Sequence, residues 1–111
     1  MSEQVREIKE AEFEQAIAGG GLAVLDFYST ECPPCEALAP KYEALAEQFA
    51  GKIRFLKIFR QGNKELATRL KVTGSPTLIF FRDGQEVGAR MAGEIKRSEL
   101  KQRLTELTGQ G

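Results

Sequence analysis

The sequence predicts an α/β fold of three layers, α/β/α, in which four helices cover a central mixed sheet of five strands. Three observations carry that prediction. Leu22–Tyr28 (LAVLDFY), Ile53–Phe59 (IRFLKIF) and Thr77–Arg82 (TLIFFR) are nearly continuous apolar runs of strand length, the pattern of strands buried on both faces. Between them lie stretches with apolar residues at helical spacing, which gives the alternation of parallel crossovers. After the last run comes Asp83-Gly84, a dipeptide that favours a two-residue hairpin and so predicts antiparallel pairing at that edge.

The elements follow in order. Residues 5–9 alternate apolar and polar side chains and predict the first strand. Residues 11–18 set Phe13, Ala16 and Ile17 on one face of a short helix, ended by Gly19-Gly20-Gly21. Leu22–Tyr28 is then the central strand. Beyond Ser29-Thr30-Glu31 stands Cys32-Pro33-Pro34-Cys35, followed by Leu38, Tyr42, Leu45, Ala46 and Phe49 at helical spacing. Proline is tolerated in a first helical turn, where the N–H groups have no acceptor within the helix, so the cysteines belong at a helix N-terminus. Pro40 lies deeper in the same helix and is expected to kink it. Ile53–Phe59 is a third strand, residues 65–70 a short helix, Thr77–Arg82 a fourth strand and residues 85–91 its antiparallel return. A last helix starts at Ser98-Glu99 and aligns Leu100, Leu104 and Leu107.

With 111 residues, residues 1–111 are expected to form one domain with one core. Apolar residues make up 41% and charged residues 29%, which excludes disordered and fibrous classes. Sixteen basic and sixteen acidic residues cancel, so no overall field favours nucleic acid or an anionic membrane. The opening Met-Ser-Glu-Gln-Val-Arg lacks the basic start and apolar run expected of a secretory leader, and no apolar run approaches the roughly 18 residues of a membrane span. A cytoplasmic monomer is expected. The absence of histidine removes every chemistry that relies on an imidazole of this chain.

The two cysteines are three residues apart, a spacing at which two sulfurs at a helix start can close a disulfide. Reducing conditions argue against a permanent structural bridge. Two inert core thiols, or half of a zinc site shared between two chains, are the other readings of the same pair.

Taken together, Asp26 within LAVLDFY, Cys-Pro-Pro-Cys at 32–35, Pro40 in the following helix, Ser75-Pro76-Thr77 before a strand, and the glycines at 84 and 93 resemble the thioredoxin family over essentially the whole chain. The resemblance implies the thioredoxin fold and a dithiol–disulfide oxidoreductase. In that reading Cys32 is the exposed nucleophile at the helix mouth, where the dipole favours a thiolate, and Cys35 is the buried thiol that resolves the mixed disulfide. The resemblance also assigns Asp26 to help Cys35 lose its proton, with Lys57 on the neighbouring strand as its basic partner. Ser75 and Pro76 are identified with the cis-proline loop that receives an extended target segment, beside Pro33, Pro34 and Gly93. Gly93 either admits a partner backbone or marks a strand bulge. No bound cofactor is implied beyond the reversible Cys32–Cys35 pair; the partners implied are protein disulfides and a reductase.

The chain departs from the usual family motif around the nucleophile. Glu31 stands in place of a tryptophan, Pro33 of a glycine, Glu36 of a lysine and Tyr28 of another tryptophan, while Phe59-Arg60-Gln61-Gly62 replaces an acidic turn. Two carboxylates beside Cys32 oppose a thiolate and repel acidic targets. These changes predict a specialised oxidoreductase, and they keep open a redox-sensing or partner-docking module that does not turn over.

Overall fold

A computed structural model describes residues 3–109; Met1 and Ser2 at one end of the expected domain, and Gln110 and Gly111 at the other, lie outside them. The elements are β1 (Val5–Glu7), α1 (Phe13–Ala18), β2 (Leu22–Tyr28), α2 (Pro33–Gln48), β3 (Ile53–Phe59), α3 (Lys64–Arg69), β4 (Thr77–Arg82), β5 (Gln85–Glu86), β6 (Met91–Ala92) and α4 (Arg97–Leu107). The three long apolar runs form the strands expected of them, residue for residue. One sheet runs β1-β3-β2-β4-β5, with β6 also paired to β4. β1, β3 and β2 are parallel, and β4 lies antiparallel to β2.

Alternation along the strands builds two cores. Ala23, Leu25 and Phe27 of β2 face α1 and α3, together with Leu56 and Ile58 of β3. Leu22 and Val24 face α2 and α4, where they meet Phe55, Leu78 and the helix residues Leu38, Tyr42, Leu45, Leu100 and Leu104. The period of two therefore carries Asp26 onto the α2–α4 side of the sheet, where an apolar side chain would have completed the row.

Several details differ from the expectation: β1 stops at Glu7 short of residue 9, and α3 lies one residue earlier than 65–70. The first helical segment opens as a 3₁₀ turn at Glu10–Glu12 before α1 begins. The last helix starts one residue earlier, at Arg97, which leaves Glu99 at its third position to accept from the Lys96 N–H at 3.4 Å. The return strand splits in two, so the sheet has six strands and not five. Between the pairs Phe81↔Glu86 and Leu78↔Met91, β4 advances three residues and its partner five, so two residues bulge out. Arg90 accounts for the bulge: it grips Glu86 through two bonds and donates to the Leu70 carbonyl at 2.7 Å, drawing the chain off the ladder. The Asp83-Gly84 turn forms as expected, with φ of +52° and +82°. Asp83 also accepts from the Gly21 N–H at 2.7 Å and returns a bond to the Gly21 carbonyl at 2.8 Å. That exchange ties the hairpin to the glycine loop before β2.

Candidate active site

The site lies where β2 runs out and α2 begins. Cys32 caps the helix, and Pro33 and Pro34 fill its first positions. Neither proline has an N–H, so the first donor in the turn is that of Cys35, aimed at Cys32 Sγ at 3.3 Å. Glu36 N–H then donates to the Cys32 carbonyl at 3.0 Å and starts the helical ladder. The two cysteines are joined as a disulfide with their Cα atoms 5.3 Å apart. Pro40 is exposed and the helix runs through it. Glu31, immediately before the cap, holds a left-handed φ of +52°.

Across the turn, the Ser75–Pro76 peptide is cis, and the Ser75 carbonyl oxygen lies 3.5 Å from Cys32 Sγ. This loop accounts for one correction. An exposed Cys32 and a buried Cys35 were expected, yet the two are 8% and 7% exposed, because Ser75 covers the first sulfur as the helix covers the second. Surroundings separate them better than exposure does: Cys35 lines the cavity that holds Asp26, and Cys32 abuts the Ser75 loop.

Asp26 is 6% exposed, and its Oδ1 has no hydrogen-bond partner among the described residues. Burial pushes its carboxyl up to about 7, opposed by the Lys57 ammonium. Lys57 pairs in register with Asp26 on β3, and Glu7 of β1 pairs with Lys57 in turn, so three charged residues cross three strands in one row. The Lys57 Nζ lies 5.5 Å from the centre of the Tyr28 ring, whose hydroxyl donates to Glu7. Asp26, Cys35, Lys57, Tyr28 and Tyr42 line one cavity of about 220 Å³, large enough to admit water, each molecule of which takes about 30 Å³. The Tyr42 hydroxyl shares its proton between the carbonyls of Val24 (3.0 Å) and Leu56 (2.7 Å), and burial holds the phenol well above its usual range, so it remains a donor.

Ser75 is braced from behind. Its Oγ lies 2.6 Å from Ser29 Oγ and accepts from Arg60 Nε at 2.8 Å. Gln61 Oε1 accepts from the Thr30 N–H and hydroxyl at 3.1 and 3.2 Å, which fastens the turn after β3 to the segment before Cys32. Pro33 and Pro34 form one wall of a groove of about 580 Å³ completed by Ala37, Lys41, Ile95 and Lys96. Gly93 donates to the Pro76 carbonyl at 3.3 Å and has φ +75° with nothing near its absent Cβ. Its glycine is thus required by backbone conformation at the end of the bulged strand, not by a crowded neighbour within the chain.

The nine residues singled out from the sequence fall into two groups that meet at the disulfide: Asp26, Lys57 and Cys35 line the cavity, whereas Cys32, Pro33 and Pro34 belong to the helix start and Ser75 and Pro76 to the cis-proline loop that Gly93 bonds, with Cys32 and Pro76 themselves buried. Sequence reasoning read Tyr42 only as part of a helical stripe and did not connect Arg60 with Ser75. The helical period placed Tyr42 on the buried face, but its two acceptors belong to strands far away in sequence.

Among the described residues, no helix is long and apolar enough to cross a membrane, and no group of three or more His, Cys, Asp or Glu is placed to hold a metal ion. The family model Thioredoxin matches residues 4–106. Thioredoxin X, chloroplastic, of Arabidopsis thaliana is 37% identical over 88% of this chain, which spans 55% of the length of that protein. Thioredoxin of Pseudomonas aeruginosa is 32% identical over 90% of the chain and 93% of its own length. Among solved structures, a mutant thioredoxin from Halobacterium salinarum NRC-1 superposes with a TM-score of 0.86 at 30% identity, covering 95% of this chain and 91% of that one.

Proposed function

We propose, for a chain that belongs to the thioredoxin family and is a protein thiol–disulfide oxidoreductase, a division of labour between the two sides of its disulfide. Cys32 is the nucleophile. In the reduced protein its thiolate receives the Cys35 N–H, the one donor that the proline-filled first turn supplies. It attacks one sulfur of a target disulfide, joins to it, and the other target sulfur leaves as a thiolate. Cys35 then gives up its proton to the Asp26 carboxylate through water in the shared cavity and attacks Cys32 Sγ. The Cys32–Cys35 bond forms, the mixed disulfide breaks, and the target departs with both sulfurs reduced. Two electrons pass from the dithiol to the target, and an external reductase must return them; no group beyond the cysteine pair is needed.

The observation that carries this reading is a buried carboxyl poised at about 7 in the same cavity as Cys35. A base for the second thiol must accept a proton near neutral pH, and burial supplies that where a solvated aspartate could not. Lys57 keeps the ionised form within reach. Ser75 and Pro76 receive the target as an extended segment beside Cys32, with Pro33, Pro34 and Gly93 flanking it. Exposed Glu31 and Glu36 narrow the range of targets, so the role is specialised. We read residues 1–111 as one domain working as a monomer in the cytoplasm.

Cys35→Ser tests the cycle. Incubated with lysate, the variant is expected to stall as mixed disulfides, seen on non-reducing gels and identified by mass spectrometry, and released by dithiothreitol. Adducts no more abundant than with Cys32→Ser/Cys35→Ser would overturn turnover and favour a docking or sensing module.

A further inference from the structure

We propose that Arg60 selects targets that carry a carboxylate next to the cysteine under attack. The inference rests on the reading of Ser75–Pro76 as the shelf that receives the target. Arg60 opens the 3₁₀ turn Arg60–Gly62 directly after β3, and its guanidinium is held by one edge. Nε donates to Ser75 Oγ at 2.8 Å, and that oxygen is fixed in turn by Ser29 Oγ at 2.6 Å. The Ser75 carbonyl sits 3.5 Å from Cys32 Sγ. One residue therefore links the cation to the reacting sulfur.

Arginine normally answers to an anion. Among the described residues the ion pairs of the arginines at 6, 69 and 90 are satisfied by glutamates, whereas no carboxylate is within pairing distance of Arg60, and its two Nη groups have no hydrogen-bond partner there. Arg60 is half-buried, so a carboxylate brought to it meets less water than at a free surface side chain. The planar fork with Nε engaged leaves its terminal N–H groups in a fixed plane, the arrangement that recognises a carboxylate in two-point fashion. The acidic residues of the site, Glu31 and Glu36, come just before Cys32 and just after Cys35 in the chain, and both are exposed. A target segment with an Asp or Glu placed against Ser75 brings its carboxylate to the unpaired fork of Arg60.

The test compares two disulfide-containing peptides, identical except for Asp or Asn beside the attacked cysteine, as substrates of the full chain, in wild type, Arg60→Gln and Arg60→Lys. Wild type is expected to favour the Asp peptide in kcat/KM by about three- to fivefold at low salt, falling as salt rises. Arg60→Gln brings the ratio to about one, and Arg60→Lys, which keeps the charge but not the fork, retains part of it. A preserved ratio with both rates lowered would make Arg60 only a brace for the Ser75 loop and overturn the inference. Equal rates on the two peptides in wild type would overturn it as well. A wild type that reduces neither peptide would overturn the reading of the site itself, and this inference with it.

Discussion

Asp26→Asn removes a carboxylate that the fold holds at a cost, and the cost can be worked from the site. The folded carboxyl titrates at about 7 against an ordinary value of 3.8, a gap that corresponds to about 4 kcal/mol. Between those two values the folded chain keeps a proton that the unfolded chain has released. Stability from this group is therefore full below about pH 4, declines as pH rises, and is lost once pH passes the folded value. The asparagine variant has no such titration, and the tyrosines that Asp26 also influences, Tyr28 and Tyr42, are raised and stay protonated across this pH range. The stability of Asp26→Asn relative to wild type should thus swing upward by about 4 kcal/mol between pH 4 and pH 8.5. Any fixed effect of burying an amide shifts the whole curve and leaves the swing untouched. Urea unfolding of both oxidised proteins at five or six pH values measures it, with the m-value unchanged as a control on compactness. Parallel pH curves, or a swing below about 1 kcal/mol, would refute the argument that burial dominates this carboxyl. The same variant at pH 8 should accumulate the mixed disulfide, because the resolving thiol has lost its proton acceptor.

The row of charges across the sheet gives a second expectation. Lys57→Met removes the cation that lowers the Asp26 carboxyl, so the carboxyl rises further and the variant is less stable than wild type above pH 8. A double-mutant cycle with Asp26→Asn at that pH should give a coupling on the order of 1 kcal/mol that disappears near pH 4; no coupling at either pH would remove Lys57 from the site. Tyr42→Phe takes away the one proton that serves the Val24 and Leu56 carbonyls and should lower stability by about 1 kcal/mol in denaturant unfolding. A variant as stable as wild type would show that neither carbonyl depends on it.

The scaffold of the site is legible in the sequence because its physics is local. Leu22–Tyr28, Ile53–Phe59 and Thr77–Arg82 are apolar enough that no helix or exposed strand could use them, and the prolines at 33 and 34 mark a helix start without reference to anything distant. Asp26 stands out for the same reason, as a charge in a run that has no room for one. Less legible is whatever depends on a partner far along the chain. The bulge between β5 and β6 follows from Arg90 reaching the Leu70 carbonyl, twenty residues away, and no periodicity in residues 85–91 announces it. The near-equal burial of the two cysteines follows from a loop 43 residues later lying against Cys32. Arg60 and Ser75, fifteen residues apart, looked like a change of charge and a loop serine until the fold put them in contact.

The first turn of α2 has a further consequence for what the helix mouth can attract. A helix start ordinarily offers a small fan of N–H groups, and phosphate, sulfate and similar ions collect there. Here Pro33 and Pro34 contribute none, and the donor of Cys35 is spent on the Cys32 sulfur. Dissolved oxyanions find no cradle to share with the thiolate. The helix start therefore directs its one free donor at the sulfur and at no dissolved ion.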